Sequence, residues 1–254
     1  MATAVLAFYT SLILPHLAQA QREVPVKFKV FLWPSYPTEG GDTRIIEKVD
    51  DDGNPYSSVE HVAPRIKYSP TGDEVVEEIQ AAQNRMSPIY EYRGVGPIQF
   101  FRSDSGGRKT IGSVNLPEGL TDVILVFFPP AKNGFAKIFP VNAGSSNLKS
   151  GEARIYNLCS NSVACLFNDQ KMLLESGASN AAKLGPSNET SVLVRLGSQI
   201  DDERWKERFA RKLPVNPNES LIVFIYNKDG NPRKFRLLTI NNQESDFSEG
   251  NSET

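Results

Sequence analysis

Histidine is nearly missing from this chain, with two among 254 residues, His16 and His61. His16 lies within the opening segment MATAVLAFYTSLILPHLAQA, which carries no charged side chain. Its apolar part, Ala4 to Leu14, is broken by Pro15 and is too short to span a bilayer. The segment closes on Ala18-Gln19-Ala20, the small-x-small pattern that fits the narrow pockets of a signal peptidase. Residues 1–20 are therefore expected to be a signal peptide, although the Lys or Arg usual near Met1 is missing. Cleavage would leave His61 as the single imidazole. One imidazole excludes a His-rich zinc site, and no G-x-S-x-G elbow accompanies it as a nucleophile partner. Neither a catalytic residue, nor a metal site, nor a cofactor is expected.

Strong charge is lacking as well. The formal net charge of −2 gives no general pull toward nucleic acid, so no nucleic-acid partner is expected and any polyanion contact must be local. Long apolar runs are also absent after the leader. The longest, Val123 to Pro130, is strand-sized and ends in two prolines, which leaves no transmembrane helix in the mature chain. Cysteine is scarce. Cys159 and Cys165 stand close together in LCSNSVACLF, and a hairpin over Ser160 to Ala164 would bring them opposite one another. Export to an oxidising compartment makes a Cys159–Cys165 disulfide one reading; two buried free thiols are the other.

What the chain does have is strand-forming pattern. Val24 to Trp33 (VPVKFKVFLW) alternates Val26, Phe28 and Val30 with Lys27 and Lys29, the period-two signature of a half-buried strand. Extended segments follow around Arg44 to Val49 and Val59 to Tyr68, and helix-forming residues over 73–85 predict one short helix capped at Thr71. From Ile89 onward, IYEY, IQFFRS, TIGSVNL, TDVILVFF and FAKIFPV are separated by turn chemistry. After the Gly- and Ser-rich stretch Asn142 to Gly151, a second series runs through EARIYNL, VACLF, MLLE, SVLVRLG, ESLIVFIY and RKFRLLTI. This spacing predicts an all-β protein of two tandem antiparallel β-sandwiches, Ig-like or jelly-roll-like, over 21–145 and 149–241. The remaining 242–254 is acidic and poor in apolar residues, a composition expected to stay disordered. Asp-Gly-Asn-Pro occurs at Asp52 to Pro55 and again at Asp229 to Pro232, marking turns rather than a repeat.

Several local patterns invite chemistry. Asp50, Asp52 and Asn54 alternate as calcium ligands do, but Pro55 stands where the turn glycine is needed and His61 where the bidentate glutamate is needed. In SDSGGRK the adjacent Gly106 and Gly107 fit a hairpin turn better than a phosphate loop. Asp201 to Leu213 places Trp205, Phe209 and Leu213 four apart, consistent with a helix face or a strand; its position between two strands favours the strand. As a strand it sets Arg204, Lys206 and Arg208 on one face and Trp205 and Phe209 on the other. Lys234 and Arg236 are likewise set opposite Phe235 and Leu237. On one shared sheet the five cations would form a polyanion-binding stripe; the plainer reading is a solvated outer face. Trp33 to Pro37 offers loop aromatics for stacking on a sugar, with core packing by Trp33 as the stronger reading.

The segments NRMSPIYEYRG with IQFFR, GEARIYNLCSNSVACLFNDQ and SLIVFIY resemble a loosely defined group of uncharacterised bacterial exported proteins with β-sandwich repeats. The resemblance implies bacterial export, periplasmic or secreted, and a sandwich fold. It carries over no site residue. Functionally, the sequence points first to a non-catalytic envelope or extracellular module, binding or structural, with cell-envelope polysaccharide or another envelope protein as partner. The alternatives are a carboxylate-dependent polysaccharide hydrolase and a polyanion binder using the basic strand faces.

Overall fold

The computed structural model describes residues 25–37, 43–49, 55–61, 65–72, 75–104, 107–186, 188–200 and 204–242. The leader, the run Asp50 to Asn54 and the acidic tail from residue 243 lie outside them. Within them the chain is all-β, as the alternating pattern requires. The first strands are β1 (Val26–Leu32), β2 (Thr43–Val49), β3 (Pro55–His61), β4 (Ile66–Tyr68), β5 (Glu77–Ile79) and β6 (Tyr90–Tyr92). Next come β7 (Ile98–Asp104), β8 (Gly107–Val114), β9 (Asp122–Phe127) and β10 (Ile138–Asn142). The second series is β11 (Glu152–Asn157), β12 (Val163–Phe167), β13 (Gln170–Leu174), β14 (Ser179–Lys183), β15 (Ser191–Gln199), β16 (Trp205–Pro214), β17 (Ser220–Asn227) and β18 (Phe235–Asn242).

Four sheets of four strands carry the fold, in the orders β10-β9-β1-β6, β5-β4-β7-β8, β14-β11-β17-β18 and β13-β12-β15-β16; β2 and β3 form a separate hairpin. These orders contain the same arrangement twice. Setting β1 and β4 through β10 against β11 through β18 in sequence order maps each sheet of the first half onto one of the second, with the β2–β3 hairpin as an insertion. Both halves pair their first strand in parallel with their seventh, β1 with β9 and β11 with β17. Both also carry a register shift in the same hairpin, between Phe100 and Phe101 and between Leu196 and Gly197. The repeated Asp-Gly-Asn-Pro does not mark this doubling. One copy joins β2 to β3, which has no counterpart, and the other joins β17 to β18.

Three apolar clusters hold the sheets. One draws Phe28, Val30, Leu125 and Phe127 together with Tyr68, Ile98 and Phe100. Its counterpart draws Ile155, Val223 and Ile225 together with Cys165, Phe167, Val194 and Leu196. The third joins the halves, since Phe31, Trp33, Ile124, Val126 and Val141 meet Tyr156, Ile222, Phe224 and Ile240. β1, β9, β11 and β17 are therefore covered on both faces, which is why VILVF and LIVFI read as continuous apolar runs instead of alternating. The half-buried expectation for β1 is corrected accordingly: even Lys29 is buried.

Two further expectations change. The segment 73–85 holds no helix among its described residues; β5 occupies its middle, and Ala82 bridges Arg85 around Asn84, which sits in the left-handed region at φ 56°. Tertiary pairing of β5 with β4 overrides the helix propensity of its glutamates. The hairpin over Ser160 to Ala164 that would have set Cys159 opposite Cys165 does not form either. β11 and β12 belong to different sheets, so the chain crosses between sheets there.

Candidate functional site

The register of β15 against β16 decides where the predicted strand residues go. Pairing runs Gly197 with Glu207 and Leu196 with Phe209, leaving Arg208 as the extra residue of a bulge. A bulge breaks the alternation that a spacing of four assumes. Phe209 packs on the core of the second half, whereas Trp205 lies on the opposite face beside Glu207 and Arg195. The sequence expectation that Trp205 and Phe209 share a face is thereby corrected. Arg208 Nε donates to buried Ser198 Oγ at 3.1 Å, while Arg204 and Lys206 are exposed. Lys234 and Arg236 are exposed near and on β18, which belongs to another sheet. The five cations are not brought onto one sheet.

A groove of about 470 Å³ lies on the outward face of β13-β12-β15-β16. Ala164 and Gly197 form its floor, Leu173 and Trp205 its apolar walls, and Lys171, Arg195 and Glu207 its charged rim. Arg195 Nη1 is 3.8 Å from Glu207 Oε2. Trp205 is 38% exposed and Leu173 57%, so the groove walls present apolar surface to solvent.

The first half shows what this position looks like when closed. Aligning the two register shifts sets Phe101 against Gly197, Lys67 against Ala164, Glu78 against Leu173, and Arg108 against Trp205. Phe101 is buried, with the Arg108 guanidinium 3.4 Å from its ring centroid. The second half therefore removes the filling ring and the two flanking charges, and lays an indole where the covering cation stood. No protein-family model matches the chain, and no curated protein matches it. The groove is consequently judged on its own chemistry.

An exposed indole above a small-residue floor, with cationic and anionic groups at the rim, is suited to a sugar ring. The C–H face of such a ring would stack on the indole, with its hydroxyls donating to Glu207 and accepting from Arg195 and Lys171. Carboxylates are placed less helpfully for hydrolysis. Among the described residues Glu207 is the carboxylate that lines the Trp205 groove, and Asp169 and Glu189, which share another pocket, have no aromatic wall. Among the described residues no group of three or more His, Cys, Asp or Glu is placed to hold a metal ion. Trp33 packs inside, as its core reading predicts, and Tyr36 is buried as well.

Cys159 and Cys165 are free thiols buried in the core of the second half. The Cys159 thiol donates to the Ile225 carbonyl at 3.8 Å and Cys159 N donates to Asn157 Oδ1, while Cys165 sits in β12 between Met172 and Leu196. Burial pushes Cys159 up to about 11 and Cys165 up to about 12 from 9.0. Both shifts are upward, so the protonated thiols favour the folded state fully below pH 9 and lose that contribution as pH climbs through about 11 and 12. Native protein at pH 8 should resist iodoacetamide, and urea without reductant should expose two alkylatable thiols. Failure to label after unfolding would reveal a disulfide.

Proposed function

We propose that the chain is an exported, non-catalytic binding module of two tandem β-sandwich domains, 21–145 and 149–241, preceded by a cleaved signal peptide and followed by an acidic tail. Its second domain recognises a saccharide of the cell envelope through the Trp205 groove. Support for two domains comes from the doubled strand order and from two apolar clusters, each drawn from two sheets. Support for binding rests on one observation: the position closed by Phe101 and Arg108 in the first half is open, apolar and faced by Trp205 in the second.

Electrophoresis of the full chain through native gels cast with neutral and anionic envelope polysaccharides tests the reading. At least one should retard wild type, and Trp205→Ala should cut that retardation at least tenfold in apparent affinity, consistent with about 1–3 kcal/mol for one stacked ring. Arg108→Ala should migrate as wild type. Equal retardation of Trp205→Ala, or none in any polysaccharide, would remove the saccharide reading.

A further inference from the structure

β16 is the outer strand of its sheet, and its counterpart in the first half is β8. The edge of β8 is closed. Ala136, just ahead of β10, donates its N–H to the carbonyl of Ile111, the bulged residue, at 2.7 Å. Gly112 makes room for that approach, because a Cβ there would meet Ala136 O and Ile138 Cδ1 at 3.0 Å. The same register sets Arg208 against Ile111 and Phe209 against Gly112. Phenylalanine leaves no such room, and among the described residues no backbone hydrogen bond joins β16 to the chain leading into β18. The 10 residues of Trp205–Pro214 therefore have a strand on one side, β15, and an open edge on the other.

An open edge takes up an extended chain whose charge suits it. β16 carries Lys206, Arg208, Arg211 and Lys212 against one acid, Glu207, so a second copy of the strand is repelled and an acidic segment attracted. Residues 243–254 hold Glu244, Asp246, Glu249 and Glu253 and neither Lys nor Arg. They also start at the right place. Asn242 pairs with Ser220, and residues 215–219 alone separate Ser220 from Pro214, the end of β16. At about 3.3 Å per residue the segment reaches about 40 Å, enough to cross to β16 and lie along most of it. We propose that residues 243–254 turn back and pair antiparallel along the outer edge of β16, their carboxylates facing its four cations. Pairing along an edge needs no apolar core, so a composition that cannot fold alone does not oppose it. The Trp205 groove lies on the face of this sheet and not on its edge, and neither reading depends on the other.

Amide hydrogen exchange of the full chain, resolved by residue, tests the proposal. The alternate amides of β16 that point away from β15 should be protected in wild type, and equally so after tenfold dilution. Combining Glu244→Lys, Asp246→Lys and Glu249→Lys should make those amides exchange at least fivefold faster. Amides of β12, β15 and β17 should not change, which separates loss of this pairing from loss of the fold. Outward β16 amides that exchange as fast in wild type as in the charge-reversed protein would overturn it. So would protection that disappears on dilution, the behaviour of pairing between two copies.

Discussion

Replacing Asn157 by leucine will destabilise the protein by about 4 kcal/mol, as read from the urea midpoint at unchanged slope. The side chain is fully buried at the end of β11. Its Nδ2 donates to the carbonyls of Asn161, Leu174 and Glu175 at 2.9, 2.9 and 3.1 Å, and its Oδ1 accepts from Cys159 N at 2.9 Å. One amide thus ties the crossing segment after β11 to the end of β13. Leucine has nearly the same volume, so no cavity opens; the cost comes from stranding carbonyls and an amide that had a partner. The first half has Leu32, fully buried, at the matching position, so an apolar side chain fits the corresponding place there. What leucine cannot do is satisfy this particular crossing. A loss below about 1 kcal/mol would mean the network is dispensable.

Phe224→Ala should cost about 3–5 kcal/mol, the range for deleting a large buried aromatic. Phe224 lies on the seam-facing side of β17, stacked on Tyr156 at 5.4 Å and edge-on to Trp33 at 6.0 Å and Phe139 at 6.2 Å. Were the halves independent, that face would be in water and the substitution would stay within about 0.5 kcal/mol. Equilibrium unfolding followed by the emission of Trp33 distinguishes the cases. A small loss without change in Trp33 emission would separate the halves.

Much of the architecture was legible from pattern alone, because strands that bury one face announce themselves with period two. TIGSVNL, VACLF and SVLVRLG became β8, β12 and β15, and within the segment 201–213 the residues from Trp205 onward form β16. The doubling was hidden for a physical reason. A sandwich position needs only an apolar residue of fitting size, so Phe28 and Ala153, or Phe100 and Leu196, can serve the same place without resembling one another. Parallel pairing of β1 with β9 was hidden too, since it is set by distant segments and leaves no local turn signature.

The candidate site was half visible. Trp205 stood out as an aromatic, but one bulge at Arg208 reversed its face relative to Phe209, and a bulge has no reliable composition of its own. Gly197 was the available cue: a glycine inside an otherwise regular strand signals a bulge or close approach. Ala164 gave no signal, because a small floor matters through the space it leaves.

Acrylamide quenching in the presence of a polysaccharide that retards the protein tests the central claim most directly. The chain has 2 tryptophans, Trp33 only 7% exposed and Trp205 38%, so the quenchable emission belongs to Trp205. A saccharide seated in the groove shields that emission in proportion to the bound fraction. Bound polysaccharide with Trp205 still fully quenched would contradict the account.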